Sequence, residues 1–272
     1  MRVERSISLQ EPAAGEMTIS NPGDRPVGVK VSAAPYRSFQ PGLVIPSAEA
    51  WLSFEPSVFT LAPGASTTVR YQVQPPEAIA RDTAGEYLAA ILIDQLPVES
   101  VHPEQAVHPS TQAQGERRVE GSTVQGSQIT IVPRLAIPVY LQIRGREKVA
   151  AEISELKVSV YENQAENTDG QPPPRLLRID TTLKSAGTVH VRPVGTFALF
   201  DTQKNTLFRA APLGRTVPLL PSAVLSVPTL LPLPPAGKYR LTLTLEAGMP
   251  EPLQKETSFE ITEDGTLVLG GK

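Results

Sequence analysis

The chain has 272 residues, with 25 Lys+Arg against 28 Asp+Glu, no cysteine, 28 prolines and a formal net charge of −3. Near-balanced charge without a basic cluster argues against nucleic acid or an anionic membrane surface as the main partner. Lack of cysteine excludes thiol catalysis, disulfides and Cys-ligated metals, and proline at this density excludes a mostly helical fold.

The N-terminal MRVERSISLQ lacks the apolar core of a signal peptide. No apolar run approaches the roughly 20 residues of a transmembrane helix. The length suits two domains of roughly 100 to 150 residues each. Residues 5–10 alternate weakly and predict a first strand. Met17–Ser20 runs into the Asn-Pro-Gly-Asp turn at 21–24. Val27, Val29 and Val31 form a second alternating run, and Ser38–Glu49 reads as loop. Trp51, the only tryptophan, reads as a core anchor. Leu61-Ala-Pro-Gly64 makes a turn before Val69, Tyr71 and Val73 at period 2, and Gly85–Ile93 is apolar on both faces, which predicts a central strand. Several short strands separated by turns, with no amphipathic helix, predict a β-sandwich.

Residues 95–127 turn polar and predict a long mobile loop. The stretch Gln128–Arg144 follows, with Ile129, Ile131, Leu135, Ile137, Val139, Leu141 and Ile143 on alternate positions. Side chains on a strand alternate between faces, so this row points to one core, while Pro133 and Pro138 predict an edge or a bend. Arg134 has the opposite parity and predicts a solvent-facing side chain. Arg144–Lys148 reads as a joint, giving domains at 1–145 and 148–272. In the second half, strands are predicted around Glu152–Tyr161, Leu177–Leu183, Val194–Phe200, Ala223–Val227, Tyr239–Leu245 and Thr257–Ile261, with Asp201–Asn205 as a hairpin turn. Arg25-Pro-Val-Gly28 recurs as Arg192-Pro-Val-Gly195, Leu61–Val69 is echoed by Leu219–Val227, and Ala84-Gly-Glu-Tyr87 by Ala236-Gly-Lys-Tyr239. Three motifs repeated in one order predict two copies of a β unit.

No nucleophile elbow, P-loop, zincin or dinucleotide motif occurs, so no catalytic residue and no cofactor are expected. His102 and His108, near Glu99 and Glu104, sit in the polar loop without preorganised metal geometry, and no metal site is expected. His190, between Val189 and Val191, reads as an outward-facing strand residue; Asp180 reads as exposed.

Asn21–Val31, Trp51–Val73, Gly85–Ile93 and Pro133–Ile143 together resemble the N-terminal domain of PapD-like periplasmic chaperones. The same order resembles the Ig-like surface proteins that accompany WxL-domain proteins, including the late Gly237-Lys-Tyr239 strand. The resemblance implies an all-β fold of two tandem Ig-like sandwiches with a cleft between them. It also implies a non-enzymatic, periplasmic or cell-surface protein that engages another extracytoplasmic polypeptide, a fibre or surface subunit, by β-augmentation. By position, it carries the early-strand cleft arginine to Arg5. The strand-borne lysine falls at Ala136–Pro138, where no basic residue stands, so Arg134 is the nearest substitute. The donor side chains correspond to Ile129 and Ile131, with Val124 as a third. The surface-protein resemblance leaves open a structural module that binds envelope polymer or neighbouring proteins.

Overall fold

The computed structural model describes residues 2–9, 11–37, 43–81, 84–96, 133–162, 174–214 and 217–270. The N-terminal half contains β1 (Val3–Ile7), β2 (Ala13–Ser20), β3 (Val27–Pro35), β4 (Leu52–Glu55), β5 (Val58–Leu61), β6 (Ser66–Val73), β7 (Glu86–Leu96) and β8 (Arg134–Ile143). A five-stranded sheet, β1-β8-β7-β3-β5, packs on a three-stranded sheet, β2-β6-β4. Met17, Val69, Tyr71 and Val73 from the smaller sheet meet Val29, Val31, Ile91, Val139 and Leu141 from the larger in one buried cluster. Trp51 is buried there, its ring 4.5 Å from that of Tyr87.

The C-terminal half repeats the plan. Its strands are β9 (Ala151–Glu162), β10 (Arg175–Ser185), β11 (Val194–Asp201), β12 (Thr206–Pro212), β13 (Val224–Pro232), β14 (Gly237–Glu246), β15 (Leu253–Ile261) and β16 (Leu267–Leu269). They form the sheets β13-β10-β9 and β12-β11-β14-β15-β16. The repeated motifs occupy equivalent places: Val27-Gly28 opens β3 as Val194-Gly195 opens β11, and Glu86-Tyr87 opens β7 as Gly237-Lys-Tyr239 opens β14. The pairs β2/β6, β3/β7 and β7/β8 have counterparts in β10/β13, β11/β14 and β14/β15, all antiparallel. The Tyr239 hydroxyl donates to the Pro235 carbonyl at 3.0 Å, the tyrosine corner of Ig-like sandwiches. The fold is therefore all-β, two Ig-like sandwiches in tandem.

β7 lies between β3 and β8, as its two apolar faces predict. Tyr87, Ala89 and Ile91 enter the N-terminal core, whereas Leu88 belongs to the buried cluster of the C-terminal sandwich, together with Tyr140 of β8. On β8 the expected row holds at Ile137, Val139, Leu141 and Ile143, all buried. Leu135 departs from it, 56% exposed, because the row there runs past the end of the core onto a shallow groove shared with Val27 and Ile93. β12 has no counterpart among the predicted strands. It is exposed along almost its whole length, Leu207 and Phe208 included, so no buried face imposed an alternation.

The β8 row gives a direct stability contrast. Leu141→Ala removes a fully buried side chain and is expected to cost about 2–5 kcal/mol. Leu135→Ala is expected to stay within about 0.5 kcal/mol of wild type. Urea unfolding of both variants checks the pair.

Candidate functional site

Among the described residues, β8 is paired along both edges for only half its length. Along one edge β7 runs antiparallel from Glu86↔Gln142 to Asp94↔Arg134. Along the other, β1 runs parallel only from Val3↔Val139 to Ile7↔Ile143. The Ile143 amide donates to Gly85 on the β7 side and the Arg144 amide to Ile7 on the β1 side. Backbone groups alternate between edges along a strand, so even-numbered residues of β8 address the β1 edge. Pro138 therefore lacks an N–H only where β7 does not need one, which explains how it sits in register with Ala90. N-terminal to Pro138, the amides and carbonyls of Arg134 and Ala136 point to a stretch of edge that β1 does not cover.

Beside this open edge lies a groove of about 620 Å³ on the outer face of the five-stranded sheet. Its floor is made of small side chains on adjacent strands: Ala34 opposite Ala90, Ala90 opposite Pro138, and Ala136 opposite Leu92. Tyr36, Arg37 and Arg134 form the rim. One rung further along the same face, Leu88 and Tyr140 are buried under the C-terminal sandwich. The groove thus begins where that cover ends. Arg134 Nε is 2.5 Å from Asp94 Oδ1, and this contact holds the guanidinium proton more firmly than usual. Arg37 is exposed and makes no hydrogen bond or ion pair among the described residues.

At the closed end of the groove the two sandwiches meet through charged groups. Glu86 on β7 is 2% exposed; its carboxylate accepts from the His190 amide at 3.0 Å and lies 2.5 Å from His190 Nδ1. His190 belongs to the β10–β11 loop, and its ring packs 4.3 Å from that of Tyr140. Glu4 on β1 receives Arg192 Nη2 at 2.6 Å and Arg2 Nε at 2.7 Å, with His190 Nε2 at 3.5 Å, all on one oxygen. The Arg192 guanidinium also sits 5.2 Å from the Tyr140 ring centroid. Partial burial pushes the Glu4 carboxyl up, but the Arg192 bond and the surrounding cations outweigh it and hold the group below its ordinary 4.5. Burial, helped by a hydrogen bond with Tyr36, pushes the Tyr140 phenol well up. Gly85 belongs to the same seam: a Cβ there would stand 2.4 Å from Thr188 Oγ1 and 2.6 Å from the Arg146 carbonyl.

The residues singled out in the sequence are not gathered at one point. Val124, Ile129 and Ile131, and also His102 and His108, lie outside the described residues. Arg134 stands at the groove rim and, as its parity predicts, is exposed. Arg5, which the resemblance assigns to the cleft, lies instead on the face of β1 shared with Val3 and Ile7, its guanidinium 3.4 Å from the Tyr71 hydroxyl. Strand alternation puts Glu4, not Arg5, toward the C-terminal sandwich. His190 corrects the expectation of an outward-facing residue: it is 8% exposed, since its loop is turned into the seam and answers a buried carboxylate. Asp180 is half-buried and paired with Arg178 on its own strand. Sequence reading missed Glu86, Glu4, Tyr140 and Arg192. The one available signal was Glu86, a carboxylate at the head of an otherwise apolar central strand. Among the described residues no group of three or more His, Asp or Glu side chains is arranged to hold a metal ion.

No protein-family model matches the chain, and no curated protein matches it. Among solved structures, the chain is similar to the class 5 fimbriae chaperone CfaA, at 11% identity and a TM-score of 0.45, covering 93% of this chain and 95% of that one. It is also similar to the Pseudomonas aeruginosa CupB2 chaperone, at 11% identity and a TM-score of 0.41, covering 94% and 96%. A chain from the Salmonella enterica complex of SafA pilin with the SafB chaperone gives 12% identity and a TM-score of 0.39, covering 93% and 92%.

Glu4 supplies a pH test of the seam. Its folded-state value is depressed, so its stabilising contribution is complete above pH 4.5 and is lost as pH falls through the lower folded value. A carboxyl ¹³C NMR titration is expected to place Glu4 below 4.5 in the wild type, and Arg192→Gln is expected to move it upward.

Proposed function

We propose that this protein is a non-enzymatic, extracytoplasmic assembly chaperone or binding protein that holds another polypeptide as an added strand on the open edge of β8. The observation that carries this reading is the run from Arg134 to Pro138, uncovered among the described residues, beside a small-floored groove. Unpaired strand edges recruit further strands, and main-chain bonds supply affinity while alternate side chains supply register. The floor of Ala34, Ala90, Ala136 and Pro138 leaves room for bulky apolar side chains from the bound segment. The sequence resemblance to PapD-like chaperones supports a fibre or surface subunit as the partner and the periplasm as the compartment.

In this reading Val124, Ile129 and Ile131, on the sequence leading into β8, contribute further alternating apolar contacts, and residues 1–145 and 148–272 act as two units framing the bound segment. Arg134 serves the rim of the groove. Arg5 is poorly turned for holding a partner's carboxylate, and Arg37 is the rim cation without a partner among the described residues. A second reading, a structural surface module, draws on the exposed apolar side chains of the C-terminal sandwich, such as Leu207, Phe208, Val224 and Leu230.

A pair of proline substitutions tests the proposal. Ala136→Pro removes an amide that points to the open edge and leaves the β7 ladder intact, so unfolding stability is expected to change by no more than about 1 kcal/mol. Pull-down of the partner from a native envelope extract is expected to fail. Ile137→Pro removes a β7-facing amide and is expected to destabilise by about 3 kcal/mol. Full capture by a folded Ala136→Pro variant would rule out strand addition at this edge.

A further inference from the structure

The seam between the sandwiches combines an apolar patch, Leu88 and Tyr140 with Tyr36, Leu43 and Ile45 beside them, with a set of ionisable groups around it. Three carboxylates come from three different elements. Glu4 stands on β1, Glu86 on β7, and Glu147 in the joint after β8. Glu86 takes the amide and ring of His190, and Glu4 takes Arg2, Arg192 and His190 on one oxygen. Glu147 takes the Gly145 amide at 2.6 Å and the Ser6 hydroxyl at 3.4 Å, fixing the turn from which the second sandwich departs. The other titratable groups facing the seam are Tyr140, paired with Tyr36, and Arg146, whose guanidinium donates to the Ile79 carbonyl.

We propose that this seam is an acid-released clamp: protonating Glu4, with Glu147 at the joint, frees the two sandwiches to change their angle while each stays folded. At neutral pH, Glu4 neutralises the cations that converge on it. Once Glu4 is protonated, the Arg2 and Arg192 guanidiniums are left within a few ångströms of one uncharged oxygen, and like charges at that separation repel. Protonating Glu147 weakens the charge-assisted bonds that fix the turn leaving β8. Glu4 and Glu147 are both held below their ordinary values, Glu147 chiefly by its own backbone amide and, after opposition from burial, by that of Gly145, so release belongs below pH 4.5. Because the groove begins where the C-terminal sandwich stops covering Leu88 and Tyr140, a change of angle would also alter its closed end.

The absence of cysteine allows site-specific spin labelling without removing any native thiol. Thr18→Cys on β2 and Gln254→Cys on β15 place one label on an exposed position of each sandwich. Pulsed electron–electron resonance is expected to give one narrow distance distribution at about pH 7, broader and displaced at about pH 3.5, while far-UV circular dichroism stays β-type. Glu4→Gln, on an exposed side chain, is expected to broaden the distribution already at neutral pH, and Glu86→Gln to broaden it further. An unchanged distribution in acid, or loss of β-type dichroism together with any broadening, would overturn the clamp. So would a narrow distribution in Glu4→Gln at neutral pH, even if Glu86→Gln fails to fold. None of these readouts uses a partner, so the clamp and the strand-addition reading fail separately.

Discussion

The organisation of the molecule depends on how the backbone of β8 is divided between its two edges. Odd-numbered residues serve β7 along the whole strand, and even-numbered residues serve β1 only from Val139 onward. A strand with both edges filled would be an ordinary interior element of a closed sandwich. One filled on both sides for half its length leaves donors and acceptors without partners among the described residues, a feature that folded proteins usually cover or blunt. Pro138 marks the boundary. It withdraws an N–H from the open edge without costing the ladder to β7, so it shortens the exposed run and leaves the sheet intact.

The second constraint is the seam. Leu88 and Tyr140 extend from the N-terminal sheet into the cluster of the other sandwich, while Glu86, Glu4, His190 and Arg192 surround them with charge. A buried carboxylate such as Glu86 is tolerable only when its hydrogen-bond demand is met, and the β10–β11 loop meets it from across the joint. This arrangement orients one sandwich on the other more specifically than apolar contact alone. It also fixes where the groove ends, since the cover over the outer face of β7 and β8 stops at Leu88 and Tyr140.

Much of the fold was legible because burial imposes periodicity. Ile137 to Ile143, Val69 to Val73 and the two apolar faces of β7 each announced their place by alternation, and the repeated Pro-Val-Gly and Gly-Glu-Tyr or Gly-Lys-Tyr segments marked equivalent strands in both halves. β12 stayed hidden because it buries almost nothing. Leu135 misled because a periodic row carries no sign of where the opposing sheet ends. The site was less legible than the fold. Parity along β8 was readable, but which edge β1 leaves open depends on a parallel pairing between residues more than 130 positions apart. His190 and Arg192 gain their partners from such distant contacts, so local pattern assigned His190 to solvent. Arg5 lies on the core-side face of β1, and the residue turned to the C-terminal sandwich is its neighbour Glu4, which alternation alone does not assign without the sheet.

Amide hydrogen exchange along β8, resolved residue by residue in the free protein, tests the central claim most directly. With β7 as the only partner of this stretch among the described residues, the Leu135 and Ile137 amides are predicted to be protected, and the Arg134 and Ala136 amides to exchange at rates close to those of an open chain. Under the proposed strand addition, adding a bound segment should then protect Arg134 and Ala136 alone. Equal protection of even and odd amides in the free protein would mean that the edge is already occupied, and would contradict the proposed strand addition.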